Sequence, residues 1–200
     1  VRIPLTEIPV TRDGSIGFQV DNVLASVAAA WALGLPWDTV CQGLSSFESN
    51  ARAVPGRFNL FDYKGATIIA DYGHNPDAIQ ALTNAVLNMP ARERSVVISG
   101  AGDRRDEDIR QQTRILGTAF DEVVLYEDAC QRGRTEGEVV ALLREGLQGA
   151  TKTRRVHEVH GEFKAIDLAM EHLQSGDLCL ILIDQVDEAL AHIAQKVEQG

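Results

Sequence analysis

From Arg57 onward, short apolar runs alternate with longer stretches whose apolar residues recur every three to four positions. The runs at 58–63, 67–70, 95–99, 122–126, 154–158 and 178–183 read as strands, and 76–88, 106–119, 135–148, 162–174 and 187–198 read as helices. The first two strands are close enough for a hairpin turning at Lys64-Gly65. The rest alternate β and α, which demands crossover connections, a mainly parallel sheet and helices on both faces. Val96-Val97-Ile98 and Leu180-Ile181-Leu182-Ile183 are apolar throughout, as strands covered on both faces must be.

The first quarter of the chain has a different rhythm. Residues 1–20 hold short β-like pieces with a turn at Asp13-Gly14. Asp21 or Asn22 is expected to cap a helix over 23–33, which Gly34 stops and Pro36 follows. A second helix is expected over 38–44. Two short Ala-rich helices cannot close a core alone, and they read as the edge of a domain whose sheet lies elsewhere. The polar stretch 48–57, ending in Val54-Pro55-Gly56-Arg57, reads as a linker. The expected division is therefore 1–53 and 54–200.

In open α/β sheets the loops that follow the strands carry the ligand chemistry. Four such loops are loaded here. The strand at 67–70 feeds Asp71-Tyr72-Gly73-His74-Asn75-Pro76-Asp77, and the strand at 95–99 feeds Gly100-Ala101-Gly102-Asp103-Arg104-Arg105. The strand at 122–126 feeds Glu127-Asp128 and then Arg132-Gly133-Arg134, and the last strand feeds Asp184-Gln185. The stretch from Asp71 to Asp77 packs the most ligand-capable side chains, although a strand–helix turn capped by Asn75 or Asp77 accounts for part of it. Asp103 and Arg104 sit in a turn and are functional candidates, whereas Asp106, Glu107 and Asp108 read as acids opening a helix.

Composition narrows the function classes. At 44% hydrophobic the chain can bury a proper core, and a net charge of −10 argues against a surface that tracks nucleic-acid phosphates. No apolar run is long enough to span a bilayer. Cys41, Cys130 and Cys179 are widely spaced and in no C-x-x-C pair, so reduced thiols and a cytoplasmic setting are expected. The chain opens on Val1 rather than Met and is expected to be a piece of something longer. Gly100-Ala101-Gly102 lacks the third glycine of a dinucleotide fingerprint, and nowhere does Gly-Lys precede Ser or Thr. His157 and His160 read as surface histidines, because no carboxylate or thiolate pattern completes a metal set, and His172 and His192 fall within helix patterns. No Ser or Cys sits in a nucleophile elbow, which points to binding and positioning over covalent catalysis.

Pro55-Gly56-Arg57, the D-Y-G-H-N-P-D stretch (71–77) and G-D-R-R-D-E-D (102–108) resemble the C-terminal domain of the Mur ligase superfamily. P-G-R-F-N (55–59), F-D-E-V-V (120–124) and R-G-R (132–134) are similar to the cyanophycin synthetase branch of it. Upstream, the segments 18–25 and 29–34 resemble the last helices of that branch's central ATPase domain. The resemblance implies a Rossmann-like C-terminal domain over 54–200, preceded by a helical remnant of the central domain. It also implies an ATP-dependent amide-bond ligase that passes through an acyl phosphate, adding arginine to aspartate side chains of a polymer.

By position, the resemblance gives Arg57 the ATP phosphates and Asp71 the ribose hydroxyls. It places Tyr72, His74 and Asn75 along the nucleotide or acyl phosphate, and Asp103 and Arg104 facing the reaction centre, with Arg57, His74 and Asp103 in catalytic roles. It places Glu127 and Asp128 where the incoming amino acid is recognised, where acids suit a guanidinium. The phosphate loop and most magnesium ligands are expected to lie outside the chain. The 200 residues alone are then expected not to ligate, the partners being the rest of the ligase chain and, in the full enzyme, further copies of it. Two alternatives stand beside this: a truncated, non-catalytic assembly or regulatory module, and another Mur-type ligase acting in peptidoglycan or folate chemistry.

Overall fold

The computed structural model describes residues 2–127 and 130–199. Six strands form one sheet: β1 (Asn59–Tyr63), β2 (Ala66–Asp71), β3 (Arg94–Ile98), β4 (Glu122–Glu127), β5 (Arg155–His160) and β6 (Leu178–Leu182). Their order across the sheet is β1-β2-β6-β3-β4-β5. β1 and β2 make the expected antiparallel hairpin, and every other neighbour pair is parallel. Lys64 and Gly65 both take positive φ at its turn, which costs glycine little.

Among the described residues seven α-helices accompany the strands: α1 (Gly17–Ala32), α2 (Trp37–Ser46), α3 (Pro76–Leu87), α4 (Asp106–Leu116), α5 (Glu138–Gly146), α6 (Glu162–His172) and α7 (Val186–Gln199). The side-chain period of two along each strand sorts the core into two layers. Val96, Ile98, Val123, Leu125, Leu180 and Leu182 pack with α3, α4 and α5. Val97, Val124, Tyr126, Cys179 and Ile181 pack with α6 and α7. These strand positions are almost fully buried, which is why the strands read as unbroken apolar runs.

The strand order creates a crevice at the edge of the sheet. α3, α4 and α5 carry the chain across one face, and α6 brings it back across the other to insert β6 between β2 and β3. The loops after β2 and β3 therefore leave toward one face while the loop after β6 leaves toward the other. Such a reversal is where open α/β sheets bind ligands.

The N-terminal quarter departs from expectation. Leu5–Glu7 and Pro9–Thr11 are 3-10 turns, not β pieces. Pro4 and Pro9 have no N–H to give a ladder, and the Thr11 hydroxyl instead donates to the carbonyls of Leu5 and Ile8. α1 begins at Gly17, before the expected caps Asp21 and Asn22, and its N-terminus has no side-chain cap. Packing sets its start instead: Ile16 is 1% exposed, and Phe18 meets Phe58 edge-on at 5.6 Å. Farther along, the helix pair leaves Leu24, Trp31 and Leu33 on the surface, 62%, 68% and 79% exposed.

Candidate functional site

The loops after β2, β3, β4 and β6 meet at the C-terminal edge of the sheet. Asp184, in the loop after β6, is the centre. His74 Nε2 lies 3.4 Å from its Oδ1, and an Arg132 guanidinium nitrogen lies 3.5 Å from the same oxygen. Arg132 also reaches Asp103 at 3.5 Å, and it hydrogen-bonds the Tyr72 side chain. The Tyr72 and His74 rings stack with centroids 4.4 Å apart. Side chains from all four loops thus form one chain of polar contacts, Asp103–Arg132–Asp184–His74. The ion pairs in it are long, and His74 Nδ1 is buried without a hydrogen-bond partner. A group placed here finds an imidazole nitrogen and a guanidinium that are loosely held.

Backbone contacts fix the loops. The Gln112 side-chain amide, 1% exposed on α4, donates to the His74 carbonyl at 3.1 Å. Glu162, the first residue of α6, accepts the backbone N–H groups of Asp184 and Gln185 at 2.7 and 3.1 Å. Burial pushes the Glu162 carboxyl above its usual range despite those donors. Arg134 donates to the carbonyls of Gly102 and Arg104 and pairs with Asp106 and Glu138, tying the loop after β3 to the one after β4. Gly102 permits that closeness, since a Cβ there would stand 2.1 Å from the Gln131 carbonyl oxygen.

Arg57 and Asp71 face a different space, a 590 Å³ cavity between α1, α2 and the start of α3. Its walls are mostly apolar, from Phe18, Leu44, Phe47 and Leu82 among others. Asp71 Oδ2 accepts the Phe58 N–H at 2.8 Å, and the Gly73 N–H also bonds its carboxylate. Burial nevertheless lifts the Asp71 carboxyl to about 6, outweighing those N–H groups and the charges of Arg57 and His74.

The remaining expected site residues divide. Asn75 caps α3, its side chain accepting the Ala78 N–H at 2.8 Å, so its structural role is realised. Arg104 is exposed at the rim. Glu127 is 6% exposed; its Oε2 accepts the Gly137 N–H at 2.8 Å, while its Oε1 is buried without a partner. Asp128 lies outside the described residues. Arg132, Asp184, Glu162 and Gln112 received no role from the sequence. The first two stood in loaded loops, which was a usable signal; the last two look like ordinary helix residues until the loops are folded over them.

Fold and site together define an open α/β domain with a polar crevice where its strand order reverses. The chain belongs to the Mur ligase family: the model of the Mur ligase glutamate ligase domain matches residues 56–182. It is similar to a cyanophycin synthetase of Geminocystis herdmanii, 34% identical over 93% of this chain and 21% of that protein. It is 32% identical to the UDP-N-acetylmuramoyl-L-alanyl-D-glutamate–2,6-diaminopimelate ligase of Alkaliphilus metalliredigens, over 82% of this chain and 32% of that one. The chain thus spans about a fifth to a third of the length of these relatives. Among solved structures, E. coli FolC in complex with ADP shares the fold, with a TM-score of 0.65 and 22% identity over 89% of this chain and 39% of that chain.

Proposed function

We propose that this chain is the C-terminal lobe of an ATP-dependent ligase that forms C–N bonds, adding arginine to aspartate side-chain carboxylates through an acyl phosphate. The observation that carries the reading is the convergence of Tyr72, His74, Asp103, Arg132 and Asp184 from four loops onto one edge. An acyl phosphate and the tetrahedral adduct formed when an amine attacks it both concentrate negative charge on oxygen, and a guanidinium beside an imidazole answers that charge. Their carboxylate contacts are 3.4–3.5 Å long, so a ligand oxyanion competes with weak ion pairs, beside the Arg132–Tyr72 hydrogen bond.

The cavity beside Arg57 and Asp71 supports a nucleoside seat: apolar walls for a base, a carboxylate for ribose hydroxyls and an exposed arginine for phosphate. Asp71, His74 and Arg57 accordingly orient ATP from this lobe, with Asp103 and Arg104 toward the reaction centre. Among the described residues no three metal-capable side chains converge at this edge, so magnesium is assigned to residues beyond this chain. Glu127 and Asp128 are assigned to the incoming guanidinium, and the unpartnered Oε1 of Glu127 supports that for the first of them. The exposed apolar residues of α1 fit a helix pair that packs on the rest of a longer ligase, working in the cytoplasm.

Phosphate release by the complete enzyme that carries this chain tests the reading. With ATP, magnesium and an aspartate polymer, release depends on added arginine, while the 200 residues alone release none. Release driven better by diaminopimelate or glutamate would move the chain to another Mur-type reaction, and ligation by the chain alone would overturn the lobe reading.

A further inference from the structure

The opposite edge of the sheet holds a second cluster that the ligase reading does not use. Glu122, the first residue of β4, is 2% exposed. Strand register puts it on the α6 face, beside Arg155 and one row from His157 on β5. α6 ends at His172 over the same spot. His172 Nδ1 lies 2.6 Å from Glu122 Oε1, and His157 Nε2 lies 3.1 Å from that same oxygen. His157 Nε2 is off the line of a hydrogen bond, and it is buried without a hydrogen-bond partner. The two imidazoles meet edge-on with centroids 5.3 Å apart.

We propose that Glu122, His157 and His172 form a binding site for a divalent transition-metal ion of the zinc class. Their ligand atoms all lie within 4.8 Å of one another. A tetrahedral ion with bonds of about 2.0–2.1 Å sets its ligand atoms roughly 3.3 Å apart, so an ion enters this set with side-chain adjustments alone. Two imidazole nitrogens and one carboxylate oxygen suit zinc and its neighbours and are poorly matched to magnesium or calcium, which prefer all-oxygen sets. Both imidazole rings remain partly open to solvent, which gives the ion an entry path and a water in its fourth position.

The second carboxylate oxygen is already anchored. Glu122 Oε2 accepts from Arg155 Nε at 2.9 Å, which fixes the carboxylate plane and leaves Oε1 toward the histidines. Glu93 pairs with the same guanidinium at 2.7 Å and offsets its charge toward an incoming cation. The three ligands come from two strands and a helix far apart in the chain, which is why their spacing shows no metal motif.

The test is a calorimetric titration of the purified, tag-free, chelator-treated protein with zinc chloride, paired with cobalt chloride followed by visible absorption. One ion binds per chain, cobalt gives the strong absorption of a tetrahedral site, and zinc raises the thermal midpoint. His157→Gln and His172→Gln each weaken zinc binding by at least about tenfold. His160→Gln, whose ring is 66% exposed and faces Glu136, leaves it unchanged. The histidine variants keep Glu122 and its bond to Arg155, and circular dichroism verifies that they fold. No saturable uptake at millimolar zinc, or equal uptake by the His157→Gln/His172→Gln double variant, overturns the proposal.

Discussion

Asp71 and Asp177 are each 7% exposed, at opposite ends of the parallel strands, but Asp71 lies much deeper beneath the surface, and their carboxyls shift in opposite directions. Burial raises both. At Asp177 it is outweighed by the Arg92 guanidinium, which forks onto both oxygens at 3.0 and 2.9 Å, and by the N–H groups of Gln174 and Glu93, so the group sits below the usual range. At Asp71 the nearby arginine, Arg57, acts only at a distance, and burial prevails. The same contrast runs through both edges. At the N-terminal edge Asp121 accepts the Arg94 N–H at 3.0 Å and pairs with Lys152 at 3.0 Å, whereas at the C-terminal edge Arg134 is tightly paired but the contacts joining Asp103, Arg132, Asp184 and His74 are 3.4–3.5 Å long. At Asp121 and Asp177 the hydrogen-bonding capacity of the N-terminal edge goes to holding strands in place, although its Glu122–His157–His172 corner keeps an unpartnered nitrogen. The other edge keeps capacity in hand, and leaving polar groups incompletely met is a cost that a fold tolerates where a ligand will meet them.

Breaking the saturated edge gives the larger stability effect. Asp177→Ala removes four accepted bonds at once and leaves backbone donors unmet; a loss of about 3 kcal/mol in urea unfolding is expected. A variant as stable as the parent would mean that this edge holds nothing.

The unsaturated edge is sharpened by pH. Between 3.8 and about 6 the folded protein keeps a proton on Asp71 that the unfolded chain has released, so this residue's contribution to stability is present below 3.8 and lost as pH rises through about 6. The span of about two pKa units corresponds to at most about 3 kcal/mol. Asp71→Asn cannot ionise and still accepts the Phe58 N–H, so it gains on the parent as pH rises across that window. Unfolding midpoints at a series of pH values check this, and a flat difference between the two proteins would rule it out.

Much of the fold was legible because burial on both faces leaves β6, and Val96 to Ile98 of β3, without polar positions. The Asp71–Asp77 loop was legible for a similar reason, since polar side chains gathered between an apolar strand and a helix are a local pattern. What could not be read was anything made by distant segments meeting. Glu162 looked like an acid at a helix start until β6 laid its loop across it, and Glu122 looked like one more strand residue until α6 and β5 brought histidines to it. The start of α1 was misplaced because packing of Ile16 and Phe18 against the α/β core, not a capping side chain, determines it.

The central claim is that the C-terminal edge, with its loosely paired charges, is where the reaction is stabilised. It is tested most directly by kcat/KM of the complete enzyme carrying His74→Gln together with Arg132→Ala. The account predicts a loss of about a hundredfold or more with the thermal midpoint nearly unmoved, because the ion-pair contacts removed are long. Full activity in that variant would contradict it.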